Sequence, residues 1–151
     1  MLQVIGPAML VEDLINDPNF DITKYYGYVY MTSHFKTGRQ YIGKKAFQHT
    51  TNKKLGKKEL AEIPIGRGRR PSKKQVITES DWKTYYGSNT EVKSLPKNEL
   101  TRVVMKLCKT KKELTYWETK YLFTYNVLED ERYMNDNILG TFFRKDLISA
   151  E

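Results

Sequence analysis

Two short runs rich in β-branched and aromatic residues, "YYGYVYMTS" (residues 25–33) and "QYIGKK" (40–45), flank the polar stretch "FKTGRQ", which carries a glycine at position 38. Strand-forming runs joined by a Gly-containing turn fold back on each other, so this part of the chain predicts a β-hairpin and constrains the fold more than any other. Tyrosines stand in both strands, at Tyr28, Tyr30 and Tyr41, and the second strand leaves through two lysines, Lys44 and Lys45. At 151 residues the length fits one domain, 1–151, able to bury roughly two thirds of its unfolded surface.

The rest of the chain supplies the partners for that hairpin. Residues 1–24 read as an acidic lead-in with turn signals at "NDPNFD". Residues 46–80 show little hydrophobic periodicity and contain "IPIGRGRRPS", so they are expected to form a long inserted loop with one helical turn near "KKELAE". A short helix at "EVKSL" is ended by Pro96 and Asn98, "LTRVVMKLCK" predicts a third strand, and "KKELTYWETKYLFTYNVL" predicts a helix. The tail "ERYMNDNILGTFFRKDL" is expected to be irregular, with a last helical turn. The fold class is therefore α/β of the α+β kind: a small three-stranded antiparallel sheet flanked by helices, with a basic insertion after the second strand.

Charge narrows the partners. The chain carries a net +8, and the segment from Lys44 to Lys74 holds eleven Lys or Arg against two acids, Glu59 and Glu62. Such a run is either a solvated basic loop or a phosphate-tracking surface, because neutralising phosphates releases counterions. The neighbouring aromatics in "DWKTYYGS" favour the second reading. A mean hydropathy of −0.66 and the lack of a long apolar run argue against a membrane protein. The start, "MLQVIGPAMLVEDL", has no basic leader and turns acidic at Glu12 and Asp13, which with the single cysteine, Cys108, points to a cytoplasmic, reducing compartment and a buried structural thiol.

The last long helix contains an anomaly. At about 100° per residue, Leu114, Trp117, Tyr121, Leu122 and Tyr125 form one broad stripe, and Glu118 projects into its middle. A carboxylate there needs a cation, a metal or a hydrogen-bond network. A structural ion pair or a tyrosine hydroxyl would serve as well as a metal, and helix geometry does not choose between them.

Taken together, these elements resemble the GIY-YIG nuclease family. Tyr28-Val29-Tyr30 stands for the first tripeptide and Tyr41-Ile42-Gly43 for the second; a helix, a strand, a helix with Glu118 and the element Tyr133-Met134-Asn135 follow in the family's order, covering residues 25–138. The "DWKTYYGS" stretch after a basic insertion resembles a phage-borne, homing-endonuclease-like branch, for which the location would be the host cytoplasm. The resemblance implies a divalent-metal-dependent DNA endonuclease, a phosphodiester hydrolase in which Glu118 binds Mg²⁺ or Mn²⁺. Tyr30 would help deprotonate or orient the attacking water, Tyr41 would hold the water or the phosphate, and Asn135 would support the site. One site cuts one strand, so a double-strand cut would need a homodimer or two visits.

The family usually places an Arg after the second tripeptide, where this chain has "KKAFQHTTNKK". Lys44 or Lys45 would replace it, or Arg67, Arg69 or Arg70 from the insertion. His49, Lys73, Lys74 and Lys83 join these arginines as expected DNA contacts. Trp82 is either a core aromatic or a stacking surface for a base. The departures from the family pattern leave a second reading open, a catalytically inactive nucleic-acid-binding module, and beyond it a basic structural domain in which Glu118 is only an ion-pair partner.

Overall fold

The computed structural model describes residues 8–64, 66, 68 and 72–147. Strand β1 (Gly27–His34) pairs antiparallel with β2 (Gln40–Ala46), placing Tyr30 opposite Gly43 and Tyr28 opposite Lys45. The turn between them is locked by His34, whose Nδ1 lies 2.7 Å from the Thr37 hydroxyl and whose Nε2 lies 2.9 Å from a Glu99 carboxylate oxygen. The fifth strand in the chain, β5 (Leu100–Cys108), pairs with the other side of β1, giving a three-stranded antiparallel sheet in the order β2-β1-β5. A register shift at Val29/Tyr30 bulges β1 against β5 beside the first tripeptide. This is the α+β architecture expected from the sequence.

Period two then divides the side chains between two faces. Val29, Ile42 and Cys108 face helix α4 (Lys111–Thr124), which buries Leu114 and Leu122 against them, with Trp117, Tyr121 and Tyr125 packed around the edge. The helix starts at Thr110, whose hydroxyl accepts a hydrogen bond from the Glu113 amide, as a cap of this type should. Burial pushes the Cys108 thiol up to about 11, so it stays protonated within the core.

The other face is aromatic. Tyr28, Tyr30, Phe47 and Trp82 pack with Val11 and Leu14. Those last two belong to helix α1 (Val11–Asn16), an element inside the acidic lead-in that the sequence reading did not pick out. Its signal was present in the spacing of Val11, Leu14 and Ile15 but spans less than two turns. Trp82 is 1% exposed, with its ring 5.0 Å from that of Phe47 and perpendicular to it. Of the two readings set out for Trp82, a core aromatic is the one its surroundings fit; it presents no face to a base.

Arg102, on β5, was not singled out by the sequence, yet it is buried among these aromatics and uses its whole fork. It donates to the Glu12 carboxylate at 2.6 Å and to the carbonyls of Trp82, Lys83 and Tyr85, with its guanidinium 4.1 Å from the Tyr86 ring centroid. A buried charge is tolerable when every donor is matched, and here the matching holds residues 82–86 onto the sheet. A short helix α3 (Thr90–Ser94) follows, capped by the Asn89 side chain. The tail forms two-residue strands β6 (Asn137–Ile138) and β7 (Phe142–Phe143) and ends in the turn α5 (Arg144–Leu147).

The chain divides into two compact units, one made of the residues up to Phe47 with those from Asp81 onward, the other of Gln48–Ser80. The second unit corrects the expectation of a long loop. Strand β3 (Gln48–Lys54) and strand β4 (Lys73–Glu79) pair antiparallel, with α2 (Lys57–Ala61) near the expected helical turn. Twelve of the fourteen strand residues are exposed. Alternation in sequence reports one buried face, and a ribbon wet on both faces has none to report.

Candidate active site

The outer edge of β2 builds the site. Strand β2 pairs with β1 on one side, and on the other the segment 132–135 runs parallel to it. The Gln40 amide donates to the Arg132 carbonyl at 2.7 Å, and the Met134 amide donates to the Gln40 carbonyl. Two residues on, at Ile42, the backbone ladder is replaced by a side chain. Asn135 accepts from the Ile42 amide through Oδ1 at 3.1 Å and donates to the Ile42 carbonyl through Nδ2 at 2.8 Å. A carboxamide has the same donor and acceptor as a peptide group, so Asn135 completes the edge while its main chain turns away. Two residues further, the backbone of Lys44 hydrogen-bonds the Glu118 carboxylate.

The diverging chain leaves a polar cavity of about 420 Å³ whose walls include Tyr41, Lys44, Glu118, Asn135 and Asp136. Glu118 is half-buried there. Burial raises its carboxyl above its ordinary value, and the nearby Lys44 ammonium and the Lys44 backbone hydrogen bond offset that only in part. It is therefore not a fully compensated ion pair. The Lys44 ammonium donates to the Thr115 hydroxyl at 3.1 Å, holding it along α4 at the cavity's margin.

Tyr41 turns its hydroxyl to Ser88 Oγ, 3.1 Å away. Desolvation raises its phenol above the usual value despite that hydrogen bond. Tyr30 lies beneath, 1% exposed, its ring 6.3 Å from that of Tyr41 and its hydroxyl in the space a side chain on Gly43 would occupy. A Cβ at position 43 would fall inside the contact distance of that hydroxyl, which is the physical reason a glycine sits opposite Tyr30. Burial drives the Tyr30 phenol well above its ordinary value, so it is a neutral hydroxyl at neutral pH.

Of the residues expected in the site, Tyr41, Lys44, Glu118 and Asn135 share one cavity, and Tyr30 underlies it. Lys45 does not join them. One residue along a strand from Lys44, it emerges on the aromatic face, where its ammonium pairs with Asp81 at 2.6 Å and stands 3.9 Å over the Tyr85 ring. Lys83 is exposed on the same unit, 5.9 Å from the Trp82 ring. His49, Lys73 and Lys74 lie exposed in the second unit, with Lys74 paired to Glu59 at 2.8 Å. Arg67, Arg69 and Arg70 lie outside the described residues.

The structure adds residues that sequence reasoning missed. Asp136 brings a second carboxylate to the cavity wall. Asn89 caps α3 through Oδ1 and donates to the Met134 carbonyl, joining the Ser88 turn to the edge segment. Arg144 donates to the carbonyls of Val127, Tyr133 and Asn135 and so fixes the loop that presents Asn135. An Asx-type cap before α3 could have flagged Asn89; nothing local marks Arg144. Among the described residues no three His, Cys, Asp or Glu side chains converge, so Glu118 and Asp136 are the carboxylates available at this cavity.

No helix among the described residues is long and apolar enough to cross a membrane. Comparisons with curated proteins and with solved structures return no match. A family model does match, the one described as "Putative endonuclease segE, GIY-YIG domain", over residues 12–138. That span takes in most of α1, the paired tripeptides, Glu118 and Asn135, and it establishes that the chain belongs to the SegE GIY-YIG endonuclease domain family, with a sheet order that agrees.

Proposed function

We propose that the protein is a divalent-metal-dependent DNA endonuclease that hydrolyses phosphodiester bonds at the β2 edge. The observation that carries this reading is Glu118, a half-buried and incompletely compensated carboxylate in a polar cavity beside a lysine and a tyrosine hydroxyl. One carboxylate with Asp136 nearby suits a hard cation that keeps most of its waters and takes a phosphate oxygen, such as Mg²⁺ or Mn²⁺. What the cation supplies when bound is stabilisation of the charge that grows on phosphorus-bound oxygens and the leaving oxygen.

The chain's own groups have distinct tasks. Glu118 holds the ion and remains ionised in doing so. Tyr41 keeps its proton and donates it as a hydrogen bond, to the attacking water or to a non-bridging phosphate oxygen. The neutral Tyr30 hydroxyl orients from below rather than removing a proton, since its burial disfavours the phenolate. Lys44 adds a point charge where the family's usual Arg offers a bidentate fork, a weaker grip on phosphate geometry. Asn135 acts as a positioning residue, with both ends of its amide committed to Ile42. In the reaction the water oxygen bonds to phosphorus and gives up one proton to bulk water, the bond from phosphorus to the leaving sugar oxygen breaks, and that oxygen takes a proton from bulk water.

The second unit serves affinity. His49, Lys53, Lys54, Lys73 and Lys74 on the exposed hairpin, with Arg67, Arg69 and Arg70, provide sequence-independent phosphate contacts. Lys83 contributes to the same task from the first unit. A homodimer, or two visits, would convert nicks into double-strand breaks.

The test is cleavage of supercoiled plasmid with Mg²⁺ or Mn²⁺, with an EDTA control, for the native chain and Glu118→Gln. Metal-dependent nicking lost in the variant, with DNA binding intact, is the expected result. Binding without cutting by either protein, with both metals, would replace this reading by that of an inactive nucleic-acid-binding module.

A further inference from the structure

The mechanism leaves one side of α4 unused. A shallow depression of about 810 Å³ on that side is lined by Lys111, Lys112, Thr115, Tyr116, Lys120 and Leu139 among others. It adjoins the active-site cavity at two places. Thr115 accepts the hydrogen bond from Lys44, and Leu139 lines both cavities.

Leu139 is an unusual residue to find there. It is the first central residue of the turn joining β6 to β7, closed by the Thr141 amide donating to the Ile138 carbonyl. Both central residues have positive φ, 58° at Leu139 and 64° at Gly140. Such a turn favours Asn, Asp or Gly at the first position, because a side chain there crowds its own backbone. A leucine breaks that rule and, at 55% exposed, gains little burial in return. Local strain kept without a packing gain points to a function for the side chain. Across the depression, Tyr116 is 59% exposed. Its ring stands 5.4 Å from that of Trp117, close to perpendicular, which braces it while leaving it open.

The rim decides the occupant. Three lysines around two exposed apolar side chains, sharing a wall with a phosphodiester-cleaving cavity, complement a polyanion that also carries flat rings. We infer that this depression is a subsite for an unstacked base of the cleaved DNA strand. Leu139 is the wedge that parts it from its neighbour, Tyr116 is the surface it stacks on, and Lys111, Lys112 and Lys120 hold the adjoining phosphates. The inference rests on the DNA-cleavage reading above and deepens it. The enzyme then prefers sites where a base is already free to leave the stack, such as bulges, branches and mismatches, because the cost of unstacking is absent there.

The test measures binding in EDTA, so that nothing is cut, by fluorescence anisotropy of a fully paired duplex and of the same duplex with a short run of unpaired thymines. The native chain should bind the interrupted duplex ~10-fold more tightly. Tyr116→Ala and Leu139→Gly should each bring the ratio close to one while barely changing affinity for the paired duplex, and Tyr116→Phe should keep it. Leu139→Gly relieves the strained turn, so its effect cannot be assigned to unfolding. A ratio near one in the native chain, or a ratio insensitive to both variants, would overturn the subsite even if plasmid is still nicked. A retained, Tyr116-dependent ratio without Glu118-dependent nicking would leave the subsite standing and remove the nuclease chemistry instead. Loss of all DNA binding would overturn both.

Discussion

The unit that carries Glu118 and the unit that carries the β3–β4 hairpin solve opposite problems. In the first, polar groups are fixed by several independent partners: the Arg102 fork meets four acceptors, Asn135 spends both ends of its amide, and Arg144 gathers the carbonyls behind it. In the second, like charges stand opposite each other at Lys53 and Lys74 and at Lys54 and Lys73, with no buried face beneath them. Hydrolysis needs groups placed to within a fraction of an ångström, and that takes a packed scaffold. Attraction to a phosphate backbone needs only charge, which a wet ribbon can carry at the cost of self-repulsion that a polyanion would relieve.

Four measurements would break or sharpen that contrast. The largest effect belongs to Glu118→Gln, expected to slow plasmid nicking by about a thousandfold while leaving DNA affinity unchanged in a gel-shift titration. A comparable loss from the hairpin lysines would erase the division of labour. Next, Trp82→Ala should cost ~3–5 kcal/mol in urea unfolding, whereas Ile77→Ala, on the exposed ribbon, should stay within about 0.5 kcal/mol. Third, replacing Lys53, Lys54, Lys73 and Lys74 together by Gln should lower the slope of log affinity against log salt by about 3 to 4, with the single-turnover nicking rate at saturating DNA unaltered.

The smallest effect is a pH dependence. Burial raises the Glu118 carboxyl in the folded chain, so stability from this group is full below its unfolded value and is lost as pH rises through the folded value. A bound cation favours the ionised form and opposes that loss. The rise in Tm produced by Mn²⁺ should therefore grow with pH across and above the ordinary carboxylate range, and Glu118→Gln should show no such growth. A pH-independent Mn²⁺ effect would place the ion elsewhere.

The same contrast explains what the sequence made legible. Tyr30, Tyr41 and Glu118 were visible because each violates or punctuates a buried pattern: paired tyrosines around a turn, and a carboxylate in an apolar stripe. The β3–β4 ribbon was invisible for want of a buried face. Lys44 and Lys45 were indistinguishable in the sequence, because which of two adjacent residues faces the cavity depends on strand register, and that is settled by contacts such as Tyr30 on Gly43. Nothing local marked Arg102 or Arg144, since their acceptors, the Glu12 carboxylate and several main-chain carbonyls, are brought to them only by the folding of other segments.

The edge of β2 has one more consequence. Gln40, Ile42 and Lys44 meet a peptide chain, a carboxamide and a carboxylate in turn. A strand edge with free amides is a docking place for any other extended chain, including a second copy of the protein. Glu118 thus closes the last stretch of an edge that could otherwise be zipped onto, a task separate from the metal binding proposed for it. Truncation to Ala would leave the Lys44 amide without this acceptor, and such a variant should associate or precipitate at concentrations where Glu118→Gln, which keeps an oxygen in place, stays dispersed.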